Sequence, residues 1–474
     1  MRARLFVLAA LVALLAACGG SHQAAPPTTT TAPNPKPKPT NRYGHKLTPL
    51  VVTIVDGDRR TRVRGARVKL WGKTGRTDRH GSTTIVAPRG KHEVSVSARG
   101  YADSTTRVDF QRSRWQTVNV YQPDLQWPLY GATEARTQAP TQIRLRPPFR
   151  LIWSRSLGHL IEFPAVVVDG FAYIGNARGT IRAISMRSGD FAWTHLTAGF
   201  PYMASSPAVY GDEIVYHTMT GGGVYVLDRD TGRLEWSWHA GAPIESSPIV
   251  VNGIDYFGDA AGAMYALDLR THRLKWHRYL GAKITSSAAI SGGRLFIGDY
   301  AGRLWALSPA SGATRWVKTV SGKIYGTPAV ADGKVFVPSV AYSFWAFSTS
   351  GRPLWHVSTG SYVYGSPAVA DGVVCFGAYN GEFYGVSAGS GRVLWRVSTG
   401  GAVSGAAVIV DGVAYVGSFS HRIIGVNLHT GHRLLTFPHG QFVPVSGNGQ
   451  RLLFNGFSRI YAVEPRSQRR QLSH

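Results

Sequence analysis

The 474-residue sequence contains only two cysteines, Cys18 and Cys375, and no Cys-Cys or CxxC pair. That excludes a disulfide framework and a thiol-rich metal site. Acidic residues are also scarce, 26 against 52 Lys and Arg, giving a net charge of +26. No HExxH or Ser/His/Asp arrangement stands out, and the 16 His are dispersed. Gly-rich pieces such as Gly221-Gly222-Gly223 join strands and are not followed by a helix, so no phosphate-cradling helix start is expected. The Asp78/His80 pair reads as a turn rather than a metal site. No catalytic or metal-ligating residue is therefore expected. Beyond residue 18 no apolar run is long enough to cross a bilayer as a helix.

The N-terminus is more informative. Met1-Arg2-Ala3-Arg4 is followed by an apolar run, Leu5 to Ala17, suited to the hydrophobic part of an export signal. Leu15-Ala16-Ala17-Cys18 resembles the bacterial lipobox. The resemblance implies removal of residues 1–17 and diacylglyceryl modification of Cys18, an anchor with two acyl chains rather than one marginal chain. The expected location is the outer face of the bacterial cell membrane, or the periplasm or cell envelope, with the membrane as a partner through the anchor. An ordinary secretory signal is the plainer alternative. Residues 18–47 are rich in Pro, Thr and Lys (Ala24 to Thr40 reads AAPPTTTTAPNPKPKPT) and read as an extended tether. Cys375, in Val373-Val374-Cys375-Phe376, reads as a buried strand residue. The positive charge raises affinity for polyanions. For an exported chain that means anionic wall polymers or headgroups, with no nucleic acid. The basic residues are scattered apart from clusters such as the tail, 466–474, so plain solvated surface is the alternative.

Residues 48–122 carry short alternating strands separated by turns: Leu50 to Val55 before Asp56-Gly57, Gly65 to Leu70, Ser82 to Val86, and His92 to Ser97. A small antiparallel β-sandwich is expected. The order G-A-x-V-x-L, T-D-x-x-G, P-x-G-x-x-x-V-x-V and G-Y resembles the carboxypeptidase regulatory-like domain, which implies a non-catalytic spacer or adhesive module. Residues 123–150 read as an irregular connector, pinned to the next domain by Trp127 and Tyr130.

From residue 151 to 465 the chain repeats itself. Trp153, Trp193, Trp236, Trp276, Trp316, Trp355 and Trp395 lie 39 to 43 residues apart, and an eighth position falls at Leu435. A period near ~40 with several short strands per unit marks propeller blades. The first turn of most units is Asp-Gly or Asn-Gly, as at Asp169-Gly170, Asn252-Gly253, Asp332-Gly333, Asp371-Gly372 and Asp411-Gly412. The second turn holds small residues, as in Asp259-Ala260-Ala261-Gly262, and the third carries Thr or Ser before Gly. Three turns make a four-stranded unit whose last strand ends with a Trp that fills the gap between neighbours. The three-strand block occurs eight times, starting near Ala165, Ala208, Ile249, Ala289, Ala329, Ala368, Ala407 and Val445. A Trp strand, Leu151-Ile152-Trp153, precedes the first block, and none follows the last. The first should therefore complete the last blade. The expected fold is all-β: an eight-bladed β-propeller preceded by a small β-sandwich, with seven blades as the nearest alternative count.

Tyr225 to Trp236 (YVLDRDTGRLEW) resembles the motif A-x-D-x-x-T-G-x-x-x-W of quinoprotein alcohol dehydrogenase-like (PQQ-repeat) propellers, with partial copies at Ala183 to Trp193, Ala266 to Trp276 and Ala306 to Trp316. The resemblance implies one of two roles. Some members are dehydrogenases that hold pyrroloquinoline quinone with calcium beside an Asp base, many with adjacent cysteines. Others are non-enzymatic envelope proteins. This chain lacks the cysteine pair, and Asp228, Asp230, Asp259, Asp268 and Asp299 fall at turns or strand ends. The expectation is a non-enzymatic envelope lipoprotein without cofactor that binds an envelope protein or a glycopolymer. The alternatives are a PQQ-dependent dehydrogenase with calcium and a charge-driven binder of anionic wall polymers. The segments leading into each block, such as Glu245-Ser246-Ser247-Pro248 and Tyr364-Gly365-Ser366-Pro367, should line the channel mouth. Their variable residues, Tyr202, Glu245, Lys283, Lys323, Tyr325, Tyr362 and Tyr364, form the candidate binding surface, or else merely finish the rim.

Overall fold

The computed structural model describes residues 46–140 and 142–466. Cys18, the signal segment, the tether up to residue 45 and the tail from 467 lie outside the described residues.

Two sheets form the N-terminal module. One has the order Ser82–Pro88, Leu47–Asp56, Trp115–Val120, and the other Lys73–Arg76, Arg67–Leu70, Lys91–Ser97, Ser104–Asp109. Alternation along these strands turns Leu50, Val52, Ile54, Val68, Val94, Val96 and Val118 into one shared core with Phe110. All pairings are antiparallel except Leu47–Asp56 with Trp115–Val120, which is parallel. Nearly the whole module separates these two strands, and that intervening chain supplies the crossover a parallel pair needs.

Among the described residues, eight four-stranded antiparallel sheets follow, here called blades one to eight. The first is Val166–Val168, Phe171–Gly175, Thr180–Ser185 and Phe191–Leu196; the last is Val445–Gly447, Leu452–Asn455, Arg459–Pro465 and, as its outer strand, Phe149–Ser156. The ring thus closes by pairing its two ends, Ala462 standing opposite Trp153. Asp-Gly and Asn-Gly turns work because both residues take positive φ, 52° and 80° at Asp169-Gly170 and 52° and 76° at Asn252-Gly253. In the reversed pair Gly211-Asp212 only Gly211 does, which is the demand of the II′ turn.

Every blade carries a register shift between its third and fourth strands, immediately beside the Trp position: Ala183/Ile184 opposite Trp193, Ala306/Leu307 opposite Trp316, Gly425/Val426 opposite Leu435. A bulge there swings the ring out toward the next blade. Six of the seven indoles then lie on the glycine of the neighbour's third turn. A Cβ on Gly232 would fall 2.4 Å from the Trp193 ring, and one on Gly312 2.7 Å from Trp276. The indole N–H donates to a carbonyl of the same turn: Trp153 to Met186 (3.0 Å), Trp193 to Arg229 (2.9 Å), Trp276 to Pro309 (2.8 Å), Trp316 to Thr349 (3.1 Å), Trp355 to Ala388 (3.3 Å) and Trp395 to Leu428 (2.7 Å). Trp236 differs. His272 replaces the glycine, the indole stacks on the imidazole at 4.3 Å, and its buried N–H has no partner among the described residues. Cys375 is fully buried in a blade-six strand, and burial pushes its thiol up.

The connector does more than bridge two domains. The N–H groups of Val167, Val209, Ile290, Val330, Val369 and Ile409, central in the inner strands of six blades, donate in turn to carbonyls of Trp127, Pro128, Glu134, Ala135, Thr137 and Gln138. Inner-strand edges face the channel and would otherwise be unpaired. The connector therefore fills the channel, with Trp127 and Tyr130 both buried. Arg136 is fully buried in it and donates to the carbonyls of Ala288 (2.9 Å), Pro248 (2.9 Å), Ser247 (3.3 Å) and Tyr130. Desolvation lowers its guanidinium to about 10.

Candidate functional site at the channel mouth

Antiparallel meanders put the first and third turns of all blades on one face of the ring, and the second turns and inter-blade links on the other. The sandwich docks on the first face. The Asn448 amide donates to Asp58 Oδ1 and the Gln126 amide to Asp58 Oδ2, each at 2.8 Å, and Tyr121 packs over Gly170. The connector returns to that face too, where Arg144 reaches Asp411 at 3.9 Å. Among the described residues nothing covers the opposite face.

There, a pocket of about 240 Å³ occupies the channel mouth. Its lining includes Glu162, Phe163, Glu245, Tyr325, Tyr364 and Phe442, with Tyr130 of the connector. The Ser and Thr residues of the links have a structural task that the sequence reading did not give them. The Ser206 N–H donates to Ser247 Oγ (3.0 Å), Ser247 to Ser287 Oγ (2.8 Å), Ser287 to Thr327 Oγ1 (3.0 Å) and Thr327 to Ser366 Oγ (2.9 Å), a belt tying blade to blade around the channel. Tyr130 Oη donates to Ser366 Oγ at 3.0 Å.

The seven residues singled out from the links gather on this face. Tyr325, Tyr364 and Glu245 line the pocket itself. Lys283 pairs with Glu245 at 2.6 Å, and Lys283 and Lys323 both lie over the Tyr300 ring, at 5.3 and 5.2 Å. Tyr362 stands 5.6 Å from Tyr364. Tyr202 lies beside Glu162; burial, then that carboxylate, pushes its hydroxyl up to about 12. Burial and the nearby Glu245 in turn raise Glu162 above the usual carboxylate range.

The second turns supply what sequence reading missed. They were expected to hold small residues, yet Tyr300, Tyr342, Tyr379 and Phe419 occupy them. Backbone bonds from Tyr300, Tyr379 and Phe419 to the carbonyls of Lys283, Tyr362 and Ala402 pin these turns to the links beside them. The rings join into an arc: Tyr300–Tyr325 (4.4 Å), Tyr325–Tyr364 (5.2 Å), Tyr364–Tyr379 (5.4 Å), Tyr379–Phe419 (6.1 Å) and Phe419–Phe442 (5.9 Å), with Tyr342 against Tyr362 at 5.0 Å. The equivalent turn position can be aligned in the sequence, but the convergence of its large residues appears only with the blades arranged around the ring.

The family profile described as outer membrane protein assembly factor BamB matches residues 177–285 and 278–471. The chain belongs to this family. BamB from Moraxella catarrhalis has a similar structure, with a TM-score of 0.59 and 16% identity over 67% of this chain and 99% of that one. Quinohemoprotein alcohol dehydrogenase from Comamonas testosteroni gives a TM-score of 0.63 and 14% identity over 73% of this chain and 81% of that one. The computationally designed Ika8 protein gives 0.58 and 17% over 66% and 98%. At these identities the likeness is one of fold. No curated protein matches the sequence. The PQQ-repeat propeller expected from the tryptophan motif is thus this BamB-family fold, shared with both dehydrogenases and an assembly factor.

The dehydrogenase alternative of the family resemblance implies a quinone with calcium, and calcium takes six to eight oxygens, carboxylates among them. Around the mouth of this BamB-family chain, Glu245 is already held by Lys283, Glu162 is shifted toward its neutral form, and two lysines crowd the rim. Among the described residues no group of three or more His, Cys, Asp or Glu is placed to hold a metal ion. The donor set at the mouth does not fit that pair. No helix among the described residues is long and apolar enough to cross a membrane.

Proposed function

We propose that this BamB-family chain is a non-enzymatic binding or scaffold protein of the cell envelope, anchored through lipidated Cys18, that engages a protein or glycopolymer at the open channel mouth. The observation carrying this reading is the aromatic arc. Tyr342, Tyr362 and Tyr379 are 48%, 37% and 42% exposed, although they pack against one another in a ring system held by backbone bonds. Preformed, rigid tyrosine surface is what binding faces are made of, since two torsions per ring leave little entropy to lose. The lipobox resemblance supports the anchor, and the sandwich then serves as a spacer on the face away from the mouth.

Crosslinking in living cells, with capture at low and high salt, tests the proposal. Recovery of the same few envelope components at high salt, lost in a Tyr364→Ala/Tyr379→Ala variant, is the expected outcome. Equal recovery by that variant would overturn the assignment to the mouth.

A second reading has its own observation. The outer strands Arg273–Tyr279 and Thr314–Thr319 of blades three and four expose Arg273, Lys275, Arg278, Arg315 and Lys318 and contain no acid. None of these five is in an ion pair among the described residues. Such a strip suits attachment to anionic wall polymers, and capture of polymer alone, only at low salt, would favour it.

A further inference from the structure

Resting on the reading of the mouth as a binding site, we infer that its ligand is a neutral saccharide chain, laid along the tyrosine arc with one sugar seated in the pocket.

The first ground is shape and polarity. The arc offers flat apolar ring faces fringed by hydroxyls, several of them open to water. A pyranose has a flat C–H face ringed by hydroxyls, so each ring can cover apolar surface while hydroxyl bonds form at its margin. Because the arc runs over several blades, from Tyr300 to Phe442, it fits a chain better than a single small molecule.

The second ground is charge. Lys283 neutralises Glu245 at 2.6 Å, and Glu162 lies in partly buried surroundings that disfavour its anion. A cationic ligand would meet Lys323, and an anionic one would find Lys283 already held by Glu245 and could reach it only by breaking that pair. A ligand that donates and accepts hydrogen bonds without net charge meets neither penalty. Ser404 Oγ, at the pocket wall, is buried and without a partner among the described residues, a hydroxyl still free to bond.

The third ground concerns the backbone. A peptide captured by strand addition needs an unpaired edge. At the channel six of the eight inner edges already donate to the connector's carbonyls, so recognition at the mouth falls mainly to side chains.

Calorimetric titration of the whole protein with soluble linear oligosaccharides of glucose and of N-acetylglucosamine provides the test. Saturable binding to at least one is expected, little changed between low and high salt. Tyr379→Ala and Tyr364→Ala should each weaken it by about tenfold or more, and Tyr379→Phe by no more than about threefold. Tyr379 is 42% exposed, so its truncation leaves the core intact, and a melting curve confirms the fold of each variant. No binding to either sugar series, binding untouched by Tyr379→Ala, or a steep loss with salt would overturn the inference. Should the sugars fail while crosslinking through the mouth still captures envelope proteins, the saccharide assignment falls and the binding-site reading stands. Failure of both removes both.

Discussion

At the scale of single residues, blade contacts depend on what is missing from one side chain. Six of the seven indoles lie against the next blade at a third turn that has no Cβ, and the same glycine takes a positive φ, 69° at Gly232. Gly232→Ala meets both obstacles and should cost about 1–3 kcal/mol, read as a lower denaturant midpoint. The exception gives the opposite sign. His272 holds φ at 57°, in the left-handed region, and the Trp236 N–H beside it has no partner among the described residues. His272→Gly should raise stability by up to ~1 kcal/mol, the relief of strain and a recovered turn bond exceeding the lost stack. A lower midpoint for this variant would mean that the stack dominates.

At the scale of elements, the connector is the unexpected part. Six inner-strand N–H groups donate to it, and Arg136 gathers four carbonyls without a carboxylate. Arg136→Met leaves those carbonyls unsatisfied, a loss of about 3–5 kcal/mol. Hydrogen exchange gives a sharper reading. The amides of Val167, Val209, Ile290, Val330, Val369 and Ile409 should be among the slowest in the native protein and should accelerate together in the variant, ahead of the blade centres. The blades were legible in the sequence because Trp, Asp-Gly turns and Thr-Gly turns recur at fixed spacing, each copy checking the last. The connector has no such echo. Its partners lie up to 271 residues away, counting from Gln138 to Ile409, and its carbonyls act whatever side chains accompany them. Half of the mouth was legible for the same reason: Tyr325, Tyr362 and Tyr364 stand in links that align, whereas Tyr300, Tyr342 and Tyr379 hide in turns where small residues set the pattern.

At the scale of the whole molecule, the sandwich and the ring meet around one carboxyl group. Asp58 is buried between Gln126 and Asn448, near Asp56 and Asp169, and desolvation is the main cause that raises it from 3.8 to about 7. An acid whose folded value is raised binds its proton more tightly in the folded state. Its contribution is therefore most favourable below ~4 and is lost as pH rises toward 7. The excess of wild-type stability at pH 5 over that at pH 8 should reach on the order of 2 kcal/mol more than in Asp58→Asn, measured by denaturation at the two pH values. Identical pH profiles would show that the joint does not sense this proton.

The closure of the ring also bears on how the molecule comes to exist. Arg150 and Glu464, neighbours in blade eight, are 314 residues apart in sequence. Chains emerge from the N-terminus, and blades can form in succession as they do. The strand Phe149–Ser156 must nevertheless wait, its hydrogen-bonding edge unoccupied, until the final strand has been made and delivered. Contacts this distant are slow to form. The last step of folding is thus also a test of completeness: a chain truncated before Arg459 retains seven finished blades and an orphaned first strand, and that exposed edge would distinguish it from the finished protein.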